Sequence, residues 1–360
     1  MLLRLITPIL LIIIVFKSLL YVNNNENYQY EWDLSVENKS DTIQDFYKQD
    51  GKHRGMTVYG FGRDNNASID QLIKSNIEWV AVIPYFYQEG EQTNSIRNVK
   101  DVGVWSPRDS SFIKSIDKLH HKKIRVQLKP HLWMGSGWRA NINFDSKSDW
   151  EIWFESYKKT MLHYALLAEK TKVEIYCIGT ELRSSVKQNP LKWKQLIKEI
   201  KDVYNGKLTY AANWDGEFND VGFWDEMDYI GIQGYFPLTD HSSPNLQTIQ
   251  KGWKPHINQL KELSDKYQKK ILFTEVGYRP DITATKEPWK WGSVFGNLFN
   301  KRSERTQHLA FEAMYSQLWK QDWFAGTYIW QWTNSDFSIK GKPAQNSVAK
   351  WYSLAKKLEK

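Results

Sequence analysis

Apolar residues in this chain gather into short dense runs, at 55–60, 77–85, 124–131, 173–181, 208–214, 227–235, 271–277 and 326–332. Each run is rich in β-branched and aromatic residues, so each reads as a buried strand. Most of the intervals between them carry helical periodicity. Ser68 reads as the N-cap of a short helix; helices are predicted over 109–121, 149–170, 190–204, 246–269, 303–320 and 343–358, with a break or kink at Pro255. Eight strand–helix units in succession describe an α/β protein, a single (β/α)8 TIM barrel.

Within strands the alternation assigns faces. Ile124, Val126 and Leu128 share one side, against the helices, which turns Gln127, Lys129 and His131 toward the lumen and its mouth. By the same parity Ile230 and Ile232 face outward and Tyr235 faces the mouth. The aromatic-rich 132–148 and 279–302 intervals are predicted as loops, with Trp133, Trp138 and Arg139 on the first and Trp289 and Trp291 on the second.

The first 22 residues break the pattern. Ile9 to Phe16 is continuously apolar, preceded by Arg4 and followed by Lys17, with no Ala-x-Ala cleavage site. Residues 1–22 therefore read as an uncleaved signal anchor in preference to a removed signal peptide, with export in either case. Residues 23–50 are polar and read as a linker holding the barrel domain, 51–360, off a membrane, facing the periplasm or exterior.

Composition changes this picture little. The formal net charge of +8 would permit nucleic-acid binding, but the lysines are interleaved with Glu and Asp on helical stretches, so solvated helix faces explain them and no nucleic-acid partner is expected. The single cysteine, Cys177, excludes an intramolecular disulfide and multi-cysteine metal sites. Eighteen Trp, 19 Tyr and 16 Phe are more aromatic area than a core of this size readily hides, and exposed rings suit sugar faces.

In the fourth and seventh runs Thr-Glu follows the apolar stretch and stands just before a turn, at Glu181 and Glu275. In a barrel of this kind the active site lies at the strands' carboxyl ends, so both carboxylates fall in one mouth, on roughly opposite sides. Two carboxyl groups across a sugar-sized cleft are the minimum equipment of a glycosidase, and a narrow mouth favours the short gap of a retaining enzyme. Lys129 is open to two readings at this stage, a sugar ligand or a counter-ion to Glu181. His131 has no second histidine or acidic partner at ligand spacing, so no metal site is assigned to it.

The runs Cys177-Ile178-Gly179-Thr180-Glu181-Leu182, Leu208 to Asp215, Asp228 to Ile232, Phe273 to Tyr278 and Tyr328-Ile329-Trp330-Gln331-Trp332 resemble glycoside hydrolase family 113. The resemblance implies endo-acting β-1,4-mannanase activity on oligo- or polysaccharides, with Glu181 as acid/base and Glu275 as nucleophile. It also implies that Tyr235 hydrogen-bonds the nucleophile, that Trp330 is the platform beneath the sugar, and that Lys129, His131 and Asn213 meet sugar hydroxyls. Much of the clan has Asn before the acid/base where this chain has Thr180, a departure that bears on how the 2-hydroxyl is held. A glucan-cleaving enzyme and a non-catalytic glycan-binding barrel are the alternatives; none of the three requires a cofactor.

Overall fold

The computed structural model describes residues 28–58, 65–97, 101–291, 301–332 and 335–355. The hydrophobic 1–22 segment lies outside them; among the described residues no helix is long and apolar enough to cross a membrane. The described strands are, in chain order, β1 (His53–Thr57), β2 (Trp79–Val82), β3 (Tyr85–Gln88), β4 (Arg125–Leu128), β5 (His131–Met134), β6 (Ile175–Thr180), β7 (Lys207–Asn213), β8 (Tyr229–Gln233), β9 (Lys270–Val276) and β10 (Phe324–Ile329). Eight of them form a closed parallel barrel in the order β1-β2-β4-β6-β7-β8-β9-β10, with β10 pairing back to β1. The predicted (β/α)8 barrel is therefore the observed fold.

The remaining pair, β3 and β5, is a parallel ribbon above the mouth. It arises because two of the predicted strands are each cut by a proline: Pro84 separates β2 from β3, and Pro130 separates β4 from β5. A proline supplies no N–H to a ladder, so the pairing stops and resumes beyond it. Trp133, expected on a loop, thus sits in β5.

Four of the described helices begin where a short polar side chain satisfies a free N–H group of the first turn. Ser106 caps Pro107–His121 in a capping box with Asp109, Ser146 caps Lys147–Lys170, Asn245 caps Leu246–Tyr267 and Ser303 caps Glu304–Leu318. Two local expectations differ. The helix at Asn65–Lys74 starts before Ser68, and Leu246–Tyr267 runs unbroken through Pro255.

The core has two parts, as the alternation requires. Val126, Leu128, Ile230 and Ile232 pack outward among the helices, while Trp79, Ile175, Tyr229, Leu272 and Tyr328 fill the lumen. His53 stacks on Trp79 at 4.0 Å between centroids and meets Tyr229 edge-on at 5.0 Å. The lower barrel is thus plugged by rings, and the open space lies at the carboxyl ends.

Residues 28–50, the described part of the expected linker, lie against the barrel. Glu78 accepts from the N–H groups of Phe46 and Tyr47 at 2.6 and 2.9 Å, and Ile43 is buried. Asp50 makes a fully buried two-pronged ion pair with Arg54 at 3.0 and 2.8 Å, while Arg54 Nε donates to the carbonyl of Tyr352. That single guanidinium ties the N-terminal segment, β1 and the last helix together.

Candidate active site

Both glutamates stand directly after an irregularity in their ladders. Between β6 and β7 the register passes from Cys177 opposite Thr209 to Thr180 opposite Ala211, three residues against two. Between β8 and β9 it passes from Ile232 opposite Phe273 to Gln233 opposite Glu275, one against two. An extra residue in one strand bends it and re-aims the side chains beyond the bend. The carbonyls near each bulge are taken up by side chains: Tyr157 donates its hydroxyl to Ile178 O at 2.8 Å, and Lys129 Nζ donates to Thr274 O at 3.2 Å.

Glu181 has a left-handed backbone, φ 51°, unusual for a non-glycine residue. One carboxyl oxygen, Oε1, accepts from Asn213 Nδ2 at 2.7 Å, and Oε2 accepts from Arg139 Nη2 at 2.7 Å. Glu275 is held by three donors: Tyr235 OH to Oε1 at 2.6 Å, Lys129 Nζ to Oε2 at 3.0 Å and Gln233 Nε2 to Oε2 at 3.1 Å. Charge-assisted bonds of this kind are short and directional, so both carboxylates are fixed in place before any ligand arrives.

Both glutamates open into one cavity of about 980 Å³, a volume suited to several sugar residues. His131, Asn213, Tyr235 and Trp330 also line it. Burial, with the Lys129 and Arg139 charges adding to it, holds His131 well below the ordinary histidine range, so the ring is neutral, and its Nε2 has no hydrogen-bond partner. Trp330 lies parallel to that ring at 6.3 Å, and its peptide bond to Gln331 is cis. Lys129, expected at sugar hydroxyls or against Glu181, goes elsewhere: its buried ammonium is spent on Glu275, Gln233 and Thr274 O. Its lumen-facing parity is as read from sequence; its reach to a strand on the far side of the barrel is not something alternation encodes.

Three further residues matter to which the sequence assigned no role. Gln233 was legible, since parity with Ile232 points it inward. Arg139 was not, because its position depends on the loop after β5. Glu217, fully buried beneath Asn213, had no signal either. The tryptophans of the two long intervals prove to be wall residues: Trp133, Trp138, Trp289 and Trp291 all line the cavity. Trp289 stacks on Trp214 at 4.8 Å, while Trp291 meets Trp330 edge-on at 6.2 Å.

A barrel whose mouth presents two anchored carboxylates in an aromatic cleft is built for glycosidic bonds, and the chain is a glycoside hydrolase. It belongs to glycoside hydrolase family 113, whose model matches residues 58–357. Among solved structures it resembles the β-mannanase AaManA of that family from Alicyclobacillus acidocaldarius, at 26% identity and TM-score 0.72, with 84% of this chain and 97% of that one covered. A second β-1,4-mannanase of the family superposes with the same TM-score at 24% identity, covering 84% and 98%. A β-glucuronidase from Faecalibacterium prausnitzii, at 11% identity and TM-score 0.57 over half its length, shares the fold alone. No curated protein matches the sequence.

Proposed function

We propose that the protein hydrolyses β-1,4-linked mannan or manno-oligosaccharides with retention of configuration. The observation that carries this reading is the difference between the two carboxylates. Glu275 is held from three directions by Lys129, Gln233 and Tyr235, an environment that supports negative charge and fixed aim, as a nucleophile needs. Glu181 is held by Asn213 and Arg139, one donor to each oxygen, which leaves each oxygen a further lone pair to carry the proton when the protonated form is required.

In the first step a Glu275 oxygen bonds to the anomeric carbon as the glycosidic C–O bond breaks, and Glu181 gives its proton to the departing oxygen. In the second, Glu181 takes a proton from water, which attacks the same carbon and releases Glu275. Tyr235 steadies the attacking carboxylate. Trp330 offers its face to the sugar, and neutral His131 can accept from a hydroxyl through its unpaired Nε2. The mannan assignment rests on family membership and on the likeness to AaManA. Aromatic walls on several sides of the cavity suit a chain that continues past the cleaved bond, which favours internal cleavage.

The experiment is a pair of substitutions. Glu275→Gln should abolish turnover on every substrate. Glu181→Ala should lose about 10²–10⁴-fold on manno-oligosaccharides but retain the first step for an activated aryl glycoside, with azide accelerating the second. Equal losses in both variants on the aryl substrate, without azide rescue, would remove the role assignment.

Export is a separate proposal, supported by the apolar Ile9–Phe16 core behind Arg4. The uncleaved segment would leave the enzyme anchored to the membrane on its outer side. Recovery of the native chain in the membrane fraction, accessible to protease in intact spheroplasts, is the expected result; a soluble, protected chain would contradict it.

A further inference from the structure

Beneath the cavity floor lies a third carboxylate. Glu217 comes after β7, on a one-turn helix (Glu217–Asp220) entered through Gly216 at φ 77°, and is wholly buried. Its two oxygens have separate duties. Oε2 accepts from the backbone N–H of Asn213 at 2.7 Å, and Oε1 accepts from Tyr210 OH at 2.6 Å.

Each of those partners leads to Glu181 by its own route. Asn213 donates its side-chain amide to Glu181 Oε1. The Tyr210 hydroxyl accepts from the N–H of Leu182 at 2.7 Å, the residue immediately after Glu181. One branch therefore reaches the carboxyl group and the other reaches the backbone just beyond it. A left-handed non-glycine residue persists only where its surroundings over-determine it. Here Glu181 N–H is also bound, to Ala211 O at 2.9 Å, so the strained residue is pinned on both sides.

We propose that Glu217 is a positioning residue for the acid/base, holding the Glu181 carboxyl group through Asn213 and the Glu181 backbone through Tyr210 and Leu182. This rests on the reading of Glu181 as acid/base. The ionised form accepts both bonds as they stand, whereas a protonated Glu217 has to carry its proton on Oε1 and reverse the Tyr210 bond, because the Asn213 N–H needs Oε2 as an acceptor. Burial, with the Glu181 charge adding to it and Tyr210, Asn213 and Arg183 opposing it, pushes Glu217 up to about 7. Its ionisation thus falls where an enzyme works, and the charged form is one that burial alone disfavours.

The test uses the full chain, with Glu217→Gln as an isosteric change and Tyr210→Phe as a second variant that keeps Glu217 and cuts only the Leu182 branch. Turnover is measured on manno-oligosaccharides and on a dinitrophenyl β-manno-oligosaccharide, whose leaving group needs no proton, with near-UV circular dichroism as the check on folding. For Glu217→Gln we expect kcat on the unactivated substrate to fall on the order of 10–100-fold with KM nearly unchanged, and release of dinitrophenol to fall much less. Tyr210→Phe should show a smaller loss with the same bias. The acidic limb of kcat in the wild-type enzyme should move in Glu217→Gln. Unchanged kcat in both folded variants, or equal losses on the two substrates, overturns the inference while leaving the glycosidase intact. A wild-type enzyme that cleaves neither substrate removes the reading of Glu181 itself, and the inference with it.

Discussion

At the level of single residues, the site is an arrangement of charges that burial makes costly and hydrogen bonds make tolerable. Glu217 shows the cost most plainly. Its folded pKa, about 7, lies above the usual carboxyl value of 4.5, so the native state holds the proton more tightly than the unfolded chain does. Its favourable contribution is therefore complete below pH 4.5 and is lost as pH rises through 7, an effect on the order of 3 kcal/mol. Glu217→Gln cannot ionise. Its melting temperature relative to wild type should therefore rise steadily between about pH 5 and pH 8, as scanning calorimetry at the two ends would show, and a difference independent of pH would contradict the shift. The nucleophile makes a second case. Tyr235→Phe removes one of three donors to Glu275 and should lower kcat by about tenfold or more without abolishing activity, since Lys129 and Gln233 remain.

Among the elements, the two irregular strands explain why the chemistry stands where it does. The bulge before Glu181 is packed from behind by the helix Lys147–Lys170, whose Trp153 and Tyr157 stack at 4.8 Å, and by Trp193 of Pro190–Lys201. Gly179 lies in the bend. A β-carbon there would sit 2.8 Å from the Tyr210 ring, 2.9 Å from Tyr157 OH and 3.0 Å from Trp193. Gly179→Ala should therefore destabilise by about 1–3 kcal/mol in urea unfolding and lower kcat as well, because Tyr157 and Tyr210 both serve the Glu181 end of the strand. Wild-type stability in that variant would mean the bend is looser than these contacts require.

The same elements show where sequence stops being informative. Strand identity, the faces of β4 and β8 and the placement of both glutamates were legible, because they depend on period-two alternation and on Thr-Glu following an apolar stretch. The bulges were not, because a one-residue slip leaves no mark beyond a glycine. Pro84 and Pro130 mark the break between barrel and ribbon, yet in the sequence each resembles a plain strand end, since the ribbon exists only where the two segments meet side by side. Arg139 and Glu217 owe their roles to partners in other units of the barrel, and no spacing rule connects them.

For the whole molecule, the barrel divides its labour by height: rings plug the amino end, and polar side chains occupy the carboxyl end. Residues 47–50 belong to the lower half. Tyr47 packs edge-on against His53 and Trp79 at 5.2 and 4.9 Å, and Asp50 neutralises the buried Arg54. A chain beginning at residue 51 would leave that guanidinium uncompensated, at a cost of about 3–5 kcal/mol, whereas one beginning at residue 28 keeps the pair. Thermal unfolding of the two truncations should differ accordingly, and equal melting temperatures would show the segment to be dispensable.

Double displacement on a β-mannoside by Glu181 and Glu275 can be watched by proton NMR of the first turnovers of manno-oligosaccharides by the intact enzyme, with gluco-oligosaccharides alongside. The new reducing ends should appear first as the β-anomer of manno-products and mutarotate afterward, with the gluco-series left uncut. Initial release of the α-anomer would contradict the covalent intermediate, and cleavage of the gluco-series instead would contradict the substrate.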